Sequence, residues 1–144
     1  MGRKPQIKTP PPRSDGLDPK ATEADVLRQI MLWGKKHGAA AGIAHAFRVQ
    51  SGVVKVGGRM VRMSPEGTPD ICGYLKCGHH IGVEVKKAAG KPTLKQEEAL
   101  AMIRIFGGVG IVARHPRDVE IALRDHAGKC ERFAFARAAE GDVT

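Results

Sequence analysis

The order of helical and strand-like segments predicts an α/β fold, a mixed central sheet flanked by helices, in a chain of 144 residues that suits one domain. Three observations carry that expectation. ICGYL and IGVEV, residues 71–75 and 81–85, are short apolar runs of strand-like composition, and the KCGHH between them supplies a Gly-containing reversal. Next comes a capped helical stretch that leads into the apolar run GVGIVAR, residues 108–114. Strand–helix–strand of this kind closes as a right-handed parallel crossover. Ahead of both lies a segment whose apolar residues recur at helical spacing.

The elements follow in order. Residues 1–21 hold Pro5, Pro10, Pro11, Pro12 and Pro19 with basic residues between them, and read as an extended or disordered arm. A helix is expected from Thr22 to His37 and stops at Gly38, with Leu27, Ile30, Met31 and Gly34 on its packing face. IAHAFRVQ, residues 43–50, reads as a strand ended by Ser51-Gly52. VVKVGGRMVRM, residues 53–63, reads as a hairpin about Gly57-Gly58. After the hairpin of residues 70–86, Thr93 and Gln96 have capping-box spacing for a helix ending near Gly107-Gly108, with Gln96, Leu100 and Ile103 on one face. A last helix carries Pro116 in its first turn. Beyond Gly128 only Phe133 and Phe135 can anchor a further segment. The chain thus divides into an arm (1–21), a domain (22–128) and a C-terminal segment (129–144).

Charge narrows the partners. The net charge is +9, and +3 of it falls within the first 21 residues, so the folded part is itself basic. A polyanion is the partner such a balance implies, because phosphate neutralisation supplies most non-specific nucleic-acid affinity. No long apolar run or basic amphipathic helix points to a membrane. Three cysteines without a secretory signal fit reduced thiols and a cytoplasmic protein. Cys72, Cys77, His79 and His80 match no compact finger or ribbon spacing, so they are expected to be ordinary strand and turn residues.

The residues that carry chemistry lie in TPDICGYLKCGHHIGVEVKK, residues 68–87. Side chains alternate along a strand, so Glu84 and Lys86 share a face. A turn that sets Leu75 opposite His79 sets Asp70 opposite Glu84 on that face. Like charges directly opposed destabilise a sheet. A hard divalent ion, Mg2+ or Mn2+, bridging the two carboxylates is the expected remedy, with Lys86 beside it to hold a phosphate or a water. Glu23 is either a first-turn acid that complements the helix dipole or an inward group at this site. Gln96 is likewise either a helix cap or an inward polar group beside Lys86. Lys55, Arg59 and Arg62 on the basic hairpin either lie along a nucleic-acid backbone or belong to a solvated edge hairpin.

With these pieces in sequence, the chain resembles the VRR-NUC family of the PD-(D/E)xK nucleases from about Glu23 to Leu123. The resemblance rests on Glu23, Arg48 with Ser51-Gly52, GTPDICG, VEVKK followed by GKPTLKQ, and GGVGIVAR. It implies a restriction-endonuclease-like fold in the order helix, strand, hairpin, hairpin, helix, strand, helix. It also implies that Asp70, Glu84, the Val85 carbonyl and Glu23 serve the metal, that Lys86 activates water and stabilises charge, and that Gln96 orients Lys86 or binds phosphate. Structure-specific cutting of branched DNA such as Holliday junctions, by a homodimer, is the implied activity.

The expectation is therefore a Mg2+- or Mn2+-dependent DNA endonuclease with Asp70, Glu84, Lys86, Glu23 and Gln96 at its centre. Arg48, Ser51, Lys55, Arg59, Arg62, Lys87, Lys91 and Lys95 are its candidate DNA contacts. A basic nucleic-acid-binding module without catalysis, or an RNA nuclease, stands as the alternative.

Overall fold

A computed structural model of the chain describes residues 17–133. Most of the proline arm, and everything from residue 134 onward including Phe135, lies outside the described residues. Helix α1 (Glu23–Trp33) starts at a capping box in which Thr22 and Asp25 satisfy each other's backbone N–H groups. It runs into a π turn, Gly34–Gly38, so the expected stop at Gly38 is met through a wider final turn. Its buried face is Val26 and Ile30, with Leu27 and Met31 half-buried beside them. Gly34 contributes nothing to that face; it opens the π turn instead.

Strands β1 (Ile43–Arg48), β4 (Ile71–Leu75), β5 (His80–Val85) and β6 (Val109–Ala113) form one sheet in the order β1-β4-β5-β6. β1, β4 and β5 pair antiparallel, while β5 and β6 pair parallel across helix α2 (Leu94–Ile105). The sheet is thus mixed and has helices against it. Strands β2 (Val53–Val56) and β3 (Arg59–Arg62) form a separate two-stranded ribbon, turned at Gly57 and Gly58 with both φ values positive. Helix α3 (Pro116–Lys129) is capped by His115 and Asp118, with Pro116 in its first turn.

Alternation along β5 assigns the two faces of the sheet. Ile81, Val83 and Val85 join Val26 and Ile30 of α1 and Val119 and Leu123 of α3 in the main core. Gly82 and Glu84 turn the other way, towards α2. Gly82 pairs with Gly110 of β6, and a Cβ on either would strike α2, through Ile103 and the Leu100 carbonyl respectively. This bare strip is what lets α2 lie close on the sheet, with Leu100 fully buried there. Among the described residues, no helix is long and apolar enough to cross a membrane.

Candidate functional site

The β4–β5 hairpin has the register expected of it. Ile71 pairs with Val83, Cys72 with Gly82 and Tyr74 with His80, and the Leu75 N–H donates to the His79 carbonyl at 2.8 Å. One further step along this register brings Asp70 opposite Glu84. Asp70 is fixed at both ends: its carbonyl accepts from the Val49 N–H at 2.8 Å, and its Oδ2 accepts from the Val85 N–H at 2.8 Å. Val85 therefore meets Asp70 through its amide.

Glu84 is only 2% exposed. Its Oε1 lies 3.2 Å from Lys86 Nζ, and its Oε2 is buried without a hydrogen-bond partner. Lys86 Nζ also lies 3.8 Å from Glu23 Oε1, so α1 and β5 meet at this lysine. Burial first, and then the charge of Asp70, push the Glu84 carboxyl up to about 7, against the opposing pull of Lys86. Protonation of Glu84 removes the clash of like charges with Asp70 with no ion between them. The same surroundings, burial foremost, raise the Cys72 thiol. Gly90 packs over the pair, since a Cβ there would sit 3.4 Å from both Glu23 Oε1 and Lys86 Cβ. Arg114 holds this loop by donating to the Gly90 carbonyl at 2.8 Å.

The remaining expected site residues divide into four groups. Gln96 acts as a cap: its Oε1 accepts from the Thr93 N–H at 2.8 Å, and its own N–H donates to Thr93 Oγ1 at 3.3 Å. Arg48 pairs with Ile71, which places it and Ser51 near the Asp70 end of the sheet. Lys87, Lys91 and Lys95 are exposed along the path from β5 into α2. Lys55, Arg59 and Arg62 are exposed on the ribbon β2–β3, which is paired to no strand of the main sheet.

A second cluster occupies the opposite end of the hairpin. Cys77 and His79 of the β4–β5 turn meet His126 on the last turn of α3 and Cys130 at its C-cap, and one ligand atom from each lies within 4.8 Å of all the others. Cys77 Sγ is 3.4 Å from His79 Nδ1 and 3.3 Å from His126 Nε2, while Cys130 Sγ is 3.5 Å from His79 Nδ1. Burial raises the Cys77 thiol, and burial followed by the His79 ring lowers His126, favouring its neutral form.

Two expectations are corrected here. Mg2+ or Mn2+ held by Asp70, Glu84, Val85 and Glu23 is overturned: among the described residues, the group whose metal-ligating atoms converge is Cys77, His79, His126 and Cys130. Thiolate and imidazole donors suit zinc, not a hard ion that wants oxygen. The carboxylates are committed elsewhere, Glu84 to Lys86, Asp70 to the Val85 amide and Glu23 to Lys86. Cys77 and His79 are likewise more than ordinary turn residues. Cys72 lies in β4 and His80 in β5, both outside the cluster, and their places are taken by His126 and Cys130. Sequence reading missed those two, although His-x-x-x-Cys at the end of a helix sets both on one face.

Comparison with protein-family models, with curated proteins and with solved structures found no match.

Proposed function

We propose that the chain is a DNA endonuclease that hydrolyses phosphodiester bonds at the Asp70/Glu84/Lys86 face, the restriction-endonuclease-like role its VRR-NUC resemblance implies. The observation that carries this reading is the buried Glu84–Lys86 pair, with one Glu84 oxygen unsatisfied and Asp70 opposite. A buried acid shifted to neutrality beside a lysine is costly to keep and is more common at working sites than in structural cores.

Each group then has a task. Glu84, with its carboxyl near 7, suits a general base that takes a proton from water at neutral pH. The oxygen of that water attacks phosphorus in line, the bond to the departing ester oxygen breaks, and the leaving oxygen takes a proton from solvent. Lys86 offsets the charge that builds on the phosphate. Glu23 holds Lys86 from the far side, and Asp70 anchors the strand end through the Val85 amide. Lys87, Lys91 and Lys95, exposed along the path from β5 into α2, and the exposed Arg48 and Ser51 are assigned to flanking phosphates. Branched DNA is the proposed substrate and a homodimer the proposed working form, since two symmetric sites suit paired cuts.

The test is a panel of labelled junction, flap, splayed and duplex DNA, with matched RNA, incubated with the full chain in buffer containing mixed divalent salts. Cleavage of branched DNA that is lost in both Glu84→Ala and Lys86→Ala supports the reading; cleavage unchanged in both ends it. Salt-dependent binding without cleavage, equal in all three proteins, would instead favour a non-catalytic module that binds through the exposed basic ribbon β2–β3.

A further inference from the structure

We propose that Cys77, His79, His126 and Cys130 bind one zinc ion, which fastens the C-terminal end of α3 to the β4–β5 turn. Zinc about 2.3 Å from sulfur and about 2.0 Å from nitrogen sets tetrahedral ligand-to-ligand edges of roughly 3.3–3.8 Å. Three of the ligand pairs stand at 3.4, 3.3 and 3.5 Å, and each joins a sulfur to an imidazole nitrogen. Hydrogen bonds alone account poorly for this arrangement. His79 Nδ1 faces two sulfurs, Cys77 and Cys130, and a single ring nitrogen cannot bond both well. A cation at the centre satisfies all four donors together.

The surroundings mark the site as closed and structural. Four protein ligands leave no open position for a substrate. Phe133 is buried and meets the His126 ring edge-to-face, with centroids 6.3 Å apart. The phenyl ring also fills the space beside Gly42, so the chain beyond α3 folds back over the ligands. Cys77 and Cys130 are 53 positions apart, and joining them closes a loop that contains β5, α2, β6 and α3. Such a link stabilises because the four ligands come together only in the folded chain, so zinc binding adds to folding free energy. Cys77-x-His79 fixes the turn, His126-x-x-x-Cys130 fixes the helix end, and neither pair suffices alone.

Full-length protein purified without chelator is expected to carry one zinc per chain by elemental mass spectrometry. Cobalt(II) exchanged into it is expected to show the intense visible bands of a tetrahedral site and a sulfur-to-cobalt charge-transfer band. Stripping the metal should lower the Tm on the order of 10 °C, and zinc should restore it. Cys130→Ser and His126→Ala should each lose the cobalt charge-transfer intensity or the metal itself, whereas Cys72→Ser should retain both. Because the wild-type spectrum stands by itself, a variant that fails to fold does not decide the matter. Protein with only trace zinc and no tetrahedral cobalt bands overturns the proposal. So does a Cys77–Cys130 disulfide, seen as a mass two hydrogens lighter in freshly purified protein.

Discussion

The two ends of the β4–β5 hairpin solve opposite problems with opposite chemistry. At the strand ends, Asp70, Glu84, Lys86 and Glu23 gather oxygen and ammonium groups, and one buried Glu84 oxygen is left without a partner. At the turn, Cys77 and His79 gather sulfur and imidazole with His126 and Cys130, so that each donor faces another. The first end holds an unmet demand, as a site awaiting a substrate does. The second is arranged for closure. The same hairpin therefore presents an acid–lysine cluster at its strand ends and a thiol–imidazole cluster at its turn.

The largest expected effect falls at the first end. Glu84→Ala and Lys86→Ala should each lower DNA cleavage by about 10³-fold, the loss typical of removing a general base or a charge-stabilising donor. Far-ultraviolet circular dichroism would confirm that both remain folded. Cleavage within a few-fold of wild type would dissolve the contrast between the two ends.

Next in size is the converse test at the second end. The double variant Cys77→Ser/Cys130→Ser should lower the Tm on the order of 10 °C while cleavage per folded molecule, assayed well below the new Tm, stays within about three-fold. Leu123 gives the scale for comparison: it is 1% exposed on the buried face of the same helix, and Leu123→Ala should cost about 2–5 kcal/mol in urea unfolding. A cleavage loss in the double variant as deep as that of Glu84→Ala would mean that the ends are not separate devices.

A third measurement isolates Glu84 by pH. Its carboxyl is raised from 4.5 in an unfolded chain to about 7 in the fold. Below pH 4.5 both states hold the proton and nothing is lost. Between those values the native state keeps a proton that the unfolded chain has released, so stability falls as pH rises and levels off above 7. The whole fall is about 3 kcal/mol from this group. Glu84→Gln should flatten that slope when urea midpoints at about pH 5 and about pH 8 are compared. An unchanged slope would show that Glu84 is ionised throughout, which would leave the unsatisfied oxygen without its proton.

How much of each end could be read in advance follows from how each is built. Asp70 and Glu84 lie in a hairpin whose register is set by a short turn, so counting back from Leu75 and His79 was enough to oppose them. Glu23 and Lys86 needed α1 to cross the end of β5, which helical spacing only suggested. The ion predicted between the carboxylates had no such support. Sequence shows that two charges oppose each other, but not that burial pushes the Glu84 carboxyl up to about 7. The Cys/His end was opaque for a different reason: its ligands come from a turn and from a helix end 49 positions away, and only tertiary packing unites them. Local spacing offered Cys77 and His79 only Cys72 and His80 as companions, a set that fits no compact zinc pattern, so the pair reads in sequence as ordinary turn residues.

The smallest effect concerns Gln96, where helix propensity and chemistry make different demands on one side chain. In the fold it closes the capping box of α2, accepting from the Thr93 N–H. Gln96→Ala removes that acceptor and should cost about 1 kcal/mol of stability. A residue engaged in this way has no free oxygen to offer Lys86, so cleavage should remain within about two-fold, far from the 10³-fold loss expected at Glu84. Gln96→Glu keeps the capping oxygen and adds charge near the positive helix end, so it should recover most of the stability. If Gln96→Ala instead lost cleavage while keeping its Tm, the glutamine would leave the cap during the reaction, and the first end of the hairpin would extend onto α2.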